Sequence, residues 1–192
     1  MHINKIRGNI HLSDKKPYTE TGEDDLVLVE LELDKEKVPL VVSTYVLRNN
    51  FGDCAIECTI GQEQRQKGIR FTYLYATSVK PFNELKGKEV TDFDKTLISV
   101  GGRIIHMCRP EFIGQNYEDF QKIKVSSKNG GKGHLLLDIT AVGLVARKMS
   151  SLSKYYRVKS NCFVKVTDGR IKFYAQSLSY KPPLPLETKK EE

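Results

Sequence analysis

The chain has 192 residues, 39% hydrophobic and 29% charged, with four cysteines, no tryptophan and a net charge of +7. That is enough apolar material for a packed core, in one large domain or two of just under a hundred residues each, and too much for a disordered chain. No stretch approaches the roughly 20 apolar residues that span a bilayer, and Met1-His2-Ile3-Asn4-Lys5 lacks the apolar run of a signal peptide, so a cytoplasmic protein with no membrane partner is expected.

Short runs of β-branched and aromatic residues bounded by turn residues predict strands near Ile3–Leu12, Leu26–Leu33, Leu40–Leu47, Ala55–Ile60 and Ile69–Thr77. The second of these carries Glu30, Glu32 and Asp34 and follows Asp24 and Asp25. That acidity argues against phosphate contact there and for a partner or dimer contact. Cys54 and Cys58 form a C-x3-C pair with no second Cys or His pair at zinc-ligand spacing, and they read as buried thiols, as do Cys108 and Cys162. No disulfide, metal or other cofactor is called for. Phe71, Tyr73 and Tyr75 share one strand face between Arg70 and Lys80. Phe71 reads as core, whereas Tyr73 and Tyr75 serve equally as core rings or as platforms for bases. The charged stretch Phe82–Lys95, interrupted by Gly87, reads as a connection, which bounds a first domain of residues 1–93.

A second series follows near Leu97–Met107, Phe120–Ser126, His134–Val142, Cys162–Thr167 and Arg170–Ser177, so the chain is all-β with five strands in each half. Asp168-Gly169 suits the positive φ positions of a type I′ hairpin turn. One short helix is predicted over Leu144–Tyr156, with Leu144, Ala146, Arg147, Lys148, Leu152 and Tyr155 on one face, plugging a barrel end. The second domain is then 94–180, and the Pro-rich, charged tail 181–192 lacks any periodic pattern. The two halves also echo one another. Ile6-Arg7-Gly8-Asn9-Ile10 matches Val100-Gly101-Gly102-Arg103-Ile104, Leu40-Val41-Val42 matches Leu135-Leu136-Leu137, and Tyr75-Ala76-Thr77-Ser78 matches Tyr174-Ala175-Gln176-Ser177, in the same order.

Charge divides the halves. Residues 1–93 hold 13 Lys and Arg against 15 Asp and Glu, net −2, whereas residues 94–192 hold 18 against 9, net +9. The second half is the one suited to a polyanion. Alternation puts Arg170, Lys172 and Tyr174 on one face of the last strand and Ile171 and Phe173 on the other. Lys122 and Lys124 likewise oppose Ile123 and Val125. Arg103, Arg147, Lys148 and Arg157 extend the basic track, and the loop Lys128-Asn129-Gly130-Gly131-Lys132-Gly133 supplies a glycine-rich fingertip. Cations interleaved with an aromatic are what a single strand needs, since phosphates and unstacked base faces are all it offers.

Val100-Gly101-Gly102-Arg103-Ile104, Phe120 to Ser127, Leu135 to Val145 with its Gly143, Tyr155-Tyr156-Arg157-Val158-Lys159 and the Asp168-Gly169 hairpin together resemble the bacterial and phage single-stranded DNA-binding protein family, over roughly residues 96–180. The resemblance implies an OB-fold barrel there, which the internal repeat extends to the first half to give two tandem OB-fold-like five-stranded β-barrels. It also implies binding of single-stranded DNA in replication, recombination or DNA transfer by a protein that is not an enzyme, with replication or recombination proteins and a second copy of the chain as further partners. The sequence departs from the family at Leu136 and Val142, where aromatics are usual. It also lacks an acidic, Phe-terminated tail, which points to a specialised relative from a phage or mobile element. Two other readings stand beside it: an interaction scaffold of tandem barrels, and RNA in place of DNA. Asp53 with Glu57 and Asp92 with Asp94 are the carboxylate pairs an enzyme would use, but no partner His accompanies them and no P-loop, G-x-S-x-G or H-E-x-x-H pattern occurs. His106 and His134 read as strand or loop histidines.

Overall fold

The computed structural model describes residues 2–17, 25–66, 69–85, 92–108, 111–113, 118–128 and 134–183. By contact the chain divides into two compact units, residues 1–98 with 162–174, and residues 99–161 with 175–192.

The first unit is built on β1 (His2–Pro17), β2 (Leu26–Leu33), β3 (Glu36–Ser43), β4 (Gly52–Gln66) and β5 (Ile69–Pro81), with the one-turn helix α1 (Thr44–Leu47) between β3 and β4. The strands close into a barrel in the order β1-β2-β3-β5-β4. β1 closes it by pairing antiparallel with β2 along its second half and with β4 along its first, while β3 and β5 run parallel at Leu40↔Leu74 and Val41↔Tyr75. Gly8 marks where β1 approaches β2 closely: a Cβ there would lie 2.6 Å from the Leu31 side chain. Alternation along β2 buries Val27, Val29, Leu31 and Leu33 and turns Leu28, Glu30 and Glu32 outward, and the core gathers Ile3, Ile6, Ile10, Leu40, Ile56, Ile60 and Leu74 around them.

The later strands are β6 (Leu97–Met107), β7 (Glu111–Ile113), β8 (Glu118–Lys128), β9 (His134–Val142), β10 (Arg157–Thr167) and β11 (Arg170–Lys181), with α2 (Gly143–Ser150) between β9 and β10. Their order is β6-β10-β11-β9-β8-β7, and β6 also pairs with β8, so five strands close and β7 is appended. The order repeats that of the first five strands, helix position included, and gives two tandem OB-fold barrels. Gly102 stands where Gly8 stands in the first copy, and a Cβ on it would fall on the Ser126 carbonyl oxygen. The close approach of first to second strand thus recurs at matched positions.

Four expectations are corrected. β3 begins at Glu36, because Asp34 and Lys35, at φ +49° and +74°, make a two-residue turn from β2, and its predicted end at Leu47 is α1. The three-residue β7 was not anticipated. The second helix stops at Ser150, where the Ser150 hydroxyl donates to the Ala146 carbonyl (2.9 Å) and the Ser151 hydroxyl to that of Lys148 (2.8 Å). The first bond lies within the helix, and the second takes up a terminal acceptor that another helical turn would use. Leu144 does not face the core: α2 buries Ala146 and Met149, and Leu144, about 200° around the helix from Ala146, is 80% exposed. The Asp168-Gly169 turn has the expected backbone, both residues lying at positive φ (+53° and +67°).

Candidate nucleic-acid interface

In the second unit, β6, β8, the start of β9 and the start of β10 surround a groove of about 600 Å³. Glycine makes its floor. Gly102 lets β6 lie against the backbone of β8, and Gly101 brings it close to β10, where a Cβ would meet the Val158 carbonyl at 3.3 Å. Around that floor stand Arg103 from β6, Lys128 from the end of β8, Arg157 from the start of β10, and His134, whose Nδ1 lies 3.2 Å from the Ser126 hydroxyl. Among the described lining residues there is no carboxylate. Three permanent cations therefore face one concave surface without an internal acid to neutralise them.

Tyr155 stands beside this groove. Its backbone is held at φ +78°. Its N–H donates to the Ile104 carbonyl (2.8 Å), and the Ile104 N–H donates to the Tyr156 carbonyl (2.9 Å). The ring is half exposed, with the Arg103 guanidinium 5.7 Å and the Lys154 ammonium 5.1 Å from its centroid. A clamped backbone, an open aromatic face and flanking cations are the parts from which a base-stacking platform is made. Tyr155 lies beyond the helix face on which the sequence pattern placed it; the serines at 150 and 151, at the helix end, were the available signal.

The other predicted residues divide. Lys122 and Lys124 point outward from β8 as alternation requires, but both reach Asp138 on the neighbouring strand, at 3.4 and 4.0 Å, so their net charge toward a phosphate is halved. Arg147 is exposed on α2. Lys148 donates to the Leu178 carbonyl (2.7 Å) and lies 5.7 Å from the Tyr180 ring, which itself sits 5.9 Å from that of Tyr156. Arg170, Lys172 and Tyr174 lie in the segment counted with the first unit: Arg170 is exposed, Lys172 and Tyr174 are half-buried with Lys165 5.7 Å from the Tyr174 ring, and Phe173 is buried behind them. Lys132 and the rest of the loop 129–133 lie outside the described residues, as does the tail beyond Pro183.

One of the two first-half tyrosines, Tyr73, is corrected to a core ring. Tyr73 is 8% exposed and packs with Leu26 and Val41 in the first barrel, with half-buried Tyr75 against that cluster. Gly61 makes the slot, since a Cβ there would fall on the Tyr73 ring. A ring filling such a slot has no face left for a base.

Of the suspected carboxylates, Asp53, Glu57 and Asp92 are matched with cations. Arg7 holds Asp53 with two hydrogen bonds (2.9 and 2.7 Å) while stacking on Phe82, and the guanidinium keeps that carboxyl below its ordinary range. Glu57 meets Lys5 at 3.9 Å, and Asp92 accepts from Lys95 at 2.7 Å. On the acidic strand, Glu30 accepts from Lys37 and Glu32 from His11. All four cysteines are thiols; burial pushes Cys54 up to about 11 and Cys58 to about 12. Among the described residues no group of His, Cys, Asp or Glu is arranged to hold a metal, and no helix is long and apolar enough to cross a membrane.

The wild-type single-stranded DNA-binding protein of Thermus aquaticus has a similar solved structure, with a TM-score of 0.67 at 11% identity over 97% of this chain and 96% of that one. A deletion mutant of the same Thermus aquaticus protein matches with a TM-score of 0.65 at 13% identity, over 99% and 96%. No protein-family model matches the chain, and no curated protein matches it. At such identity the likeness establishes the tandem-barrel fold.

Proposed function

We propose that the protein binds single-stranded DNA, largely without sequence preference, as a non-enzymatic cytoplasmic factor in the replication, recombination or transfer of DNA, with residues 94–180 as the principal binding domain. The observation that carries this reading is the groove, without a carboxylate among its described lining residues, in which Arg103, Lys128 and Arg157 converge beside the open ring of Tyr155. Phosphates would take the three cations while a base stacks on Tyr155, a contact worth about 1–3 kcal/mol. The Thermus aquaticus protein, which shares both barrels, is by its name a single-stranded DNA binder, and that supports the choice of polymer.

One observation favours a second reading, a protein-interaction scaffold. Val142 and Leu144, 53% and 80% exposed, put aliphatic surface on either side of Gly143, and an exposed apolar patch is what a protein partner would cover. Fluorescence-anisotropy titration of labelled oligo-dT, oligo-rU and duplex DNA separates the two. Tight oligo-dT binding with weak duplex binding is expected; no binding to any of the three at low salt overturns the DNA reading and leaves the scaffold.

A further inference from the structure

The first unit was expected to avoid phosphates because its second strand is acidic, but Glu30 and Glu32 are already engaged by Lys37 and His11. Elsewhere on the same unit, α1 and the last residues of β5 enclose a groove of about 640 Å³. Tyr45, 74% exposed, lines it, the guanidinium of Arg48 lies 5.4 Å from the ring centroid, and Lys80 stands exposed on the β5 side. Glu84 is the one carboxylate among the described lining residues.

An exposed tyrosine on a short helix is unremarkable unless the turn that carries it is fixed, and here several bonds fix the turn. The Ser43 hydroxyl accepts from the Tyr45 N–H (3.1 Å) and donates to Asp25 (2.8 Å), and the Thr44 N–H donates to the Asp25 carbonyl (2.8 Å). At the other end the Arg48 N–H closes the turn on the Thr44 carbonyl (2.8 Å), and Asn50 Nδ2 donates to the Val79 carbonyl on β5 (3.2 Å). Leu47, fully buried, anchors the turn from beneath. The entropy of ordering the turn is therefore met within the fold and not by a ligand.

We infer that this groove is a second site for single-stranded nucleic acid, taking one base on the free face of Tyr45 and an adjacent phosphate between Arg48 and Lys80. Arg48 occupies one side of the ring, which leaves the other for a base, and cation on one face with base on the other strengthens both contacts. A purely acidic peptide would use the two cations but gain nothing from the presented ring, so nucleic acid is the occupant this chemistry favours. The inference rests on the proposed function in its choice of ligand class, but on different residues in a different unit.

The test uses the full chain and a 5-iododeoxyuridine-substituted oligo-dT of roughly 30 nucleotides, long enough for two OB-fold sites. Irradiation is expected to cross-link Tyr45, and the double variant Tyr45→Ala with Arg48→Ala is expected to bind roughly tenfold more weakly, with Tyr45→Phe close to wild type. Both side chains are exposed, so an unchanged melting temperature shows that the fold is intact. Wild-type affinity in the double variant, or cross-links that spare Tyr45, overturns the second site, as does an oligoglutamate peptide that protects Tyr45 from modification when oligo-dT does not. The two proposals fail separately. If oligo-dT binds and Arg103→Ala with Arg157→Ala weakens it while the Tyr45 and Arg48 variant does not, only this inference falls; if the wild-type chain binds no oligonucleotide, the proposed function falls too.

Discussion

Changing Arg103 and Arg157 together to alanine removes two of the three permanent cations among the described residues that line the groove of the second unit and leaves Lys128. On a single strand each neutralised phosphate adds about −0.7 to the slope of log affinity against log salt. Three contacts give a slope of about −2.1, a loss of roughly 20-fold in affinity between about 50 and 200 mM salt, whereas the single remaining contact gives about −0.7 and a loss of roughly threefold. Cations elsewhere on the chain would steepen both lines equally, so the difference of about 1.4 in slope is the robust quantity. Loss of Arg103 also frees the Tyr155 ring from its cation, 5.7 Å away, but a stacking contact changes the intercept and leaves the slope alone. The assay is anisotropy of labelled oligo-dT across a salt series for wild type and double variant. A variant line parallel to that of the wild type would refute the assignment, because it would mean that neither arginine meets a phosphate.

Tyr155→Ala is expected to weaken oligo-dT binding by about 1–3 kcal/mol without changing the salt slope, and Tyr155→Phe to keep most of the affinity, in the same titration. Gly102→Ala forces a methyl onto the Ser126 carbonyl, which as backbone cannot rotate away, and should destabilise the chain by about 1–3 kcal/mol in urea unfolding, more than Gly101→Ala, whose nearest contact is 3.3 Å. With a thiol reagent at neutral pH, half-buried Cys108 should react ahead of the buried Cys54, Cys58 and Cys162. Because burial raises the Cys54 and Cys58 thiols to about 11 and about 12 from 9.0, their contribution to stability is complete below the ordinary thiol range and is lost as pH rises through those values, so alkaline unfolding followed by circular dichroism should shift to higher pH in Cys58→Ser.

Much of the fold was legible because strand alternation is a local property. β6 and β9 have the predicted bounds, Lys122 and Lys124 point outward opposite buried Ile123 and Val125, and Asp168-Gly169 turns as its composition dictates. Some of the failures share a cause, dependence on what lies across the sheet. Alternation gave Tyr73 and Tyr75 a common face but could not say that Gly61 on β4 leaves a slot for the Tyr73 ring. The partner of Lys122 and Lys124 follows from a register that sets Lys124 opposite Asp138, and nothing in either strand alone announces it. Asp34-Lys35 was missed because lysine is an unusual residue at φ +74°, and Tyr45 because a single helical turn has no periodicity to read. The groove itself was half legible: Arg103, Lys128 and Arg157 were named from charge, but their convergence on a glycine floor, with Tyr155 beside it, belongs to the barrel and not to any one segment.

The most direct test of the groove as the binding site is amide hydrogen exchange on the full chain with and without oligo-dT, read segment by segment. Slowed exchange at residues 101–103, 126–128 and 155–158 on adding the oligonucleotide is the predicted result. Binding that leaves those three segments unprotected while slowing exchange elsewhere would contradict the account.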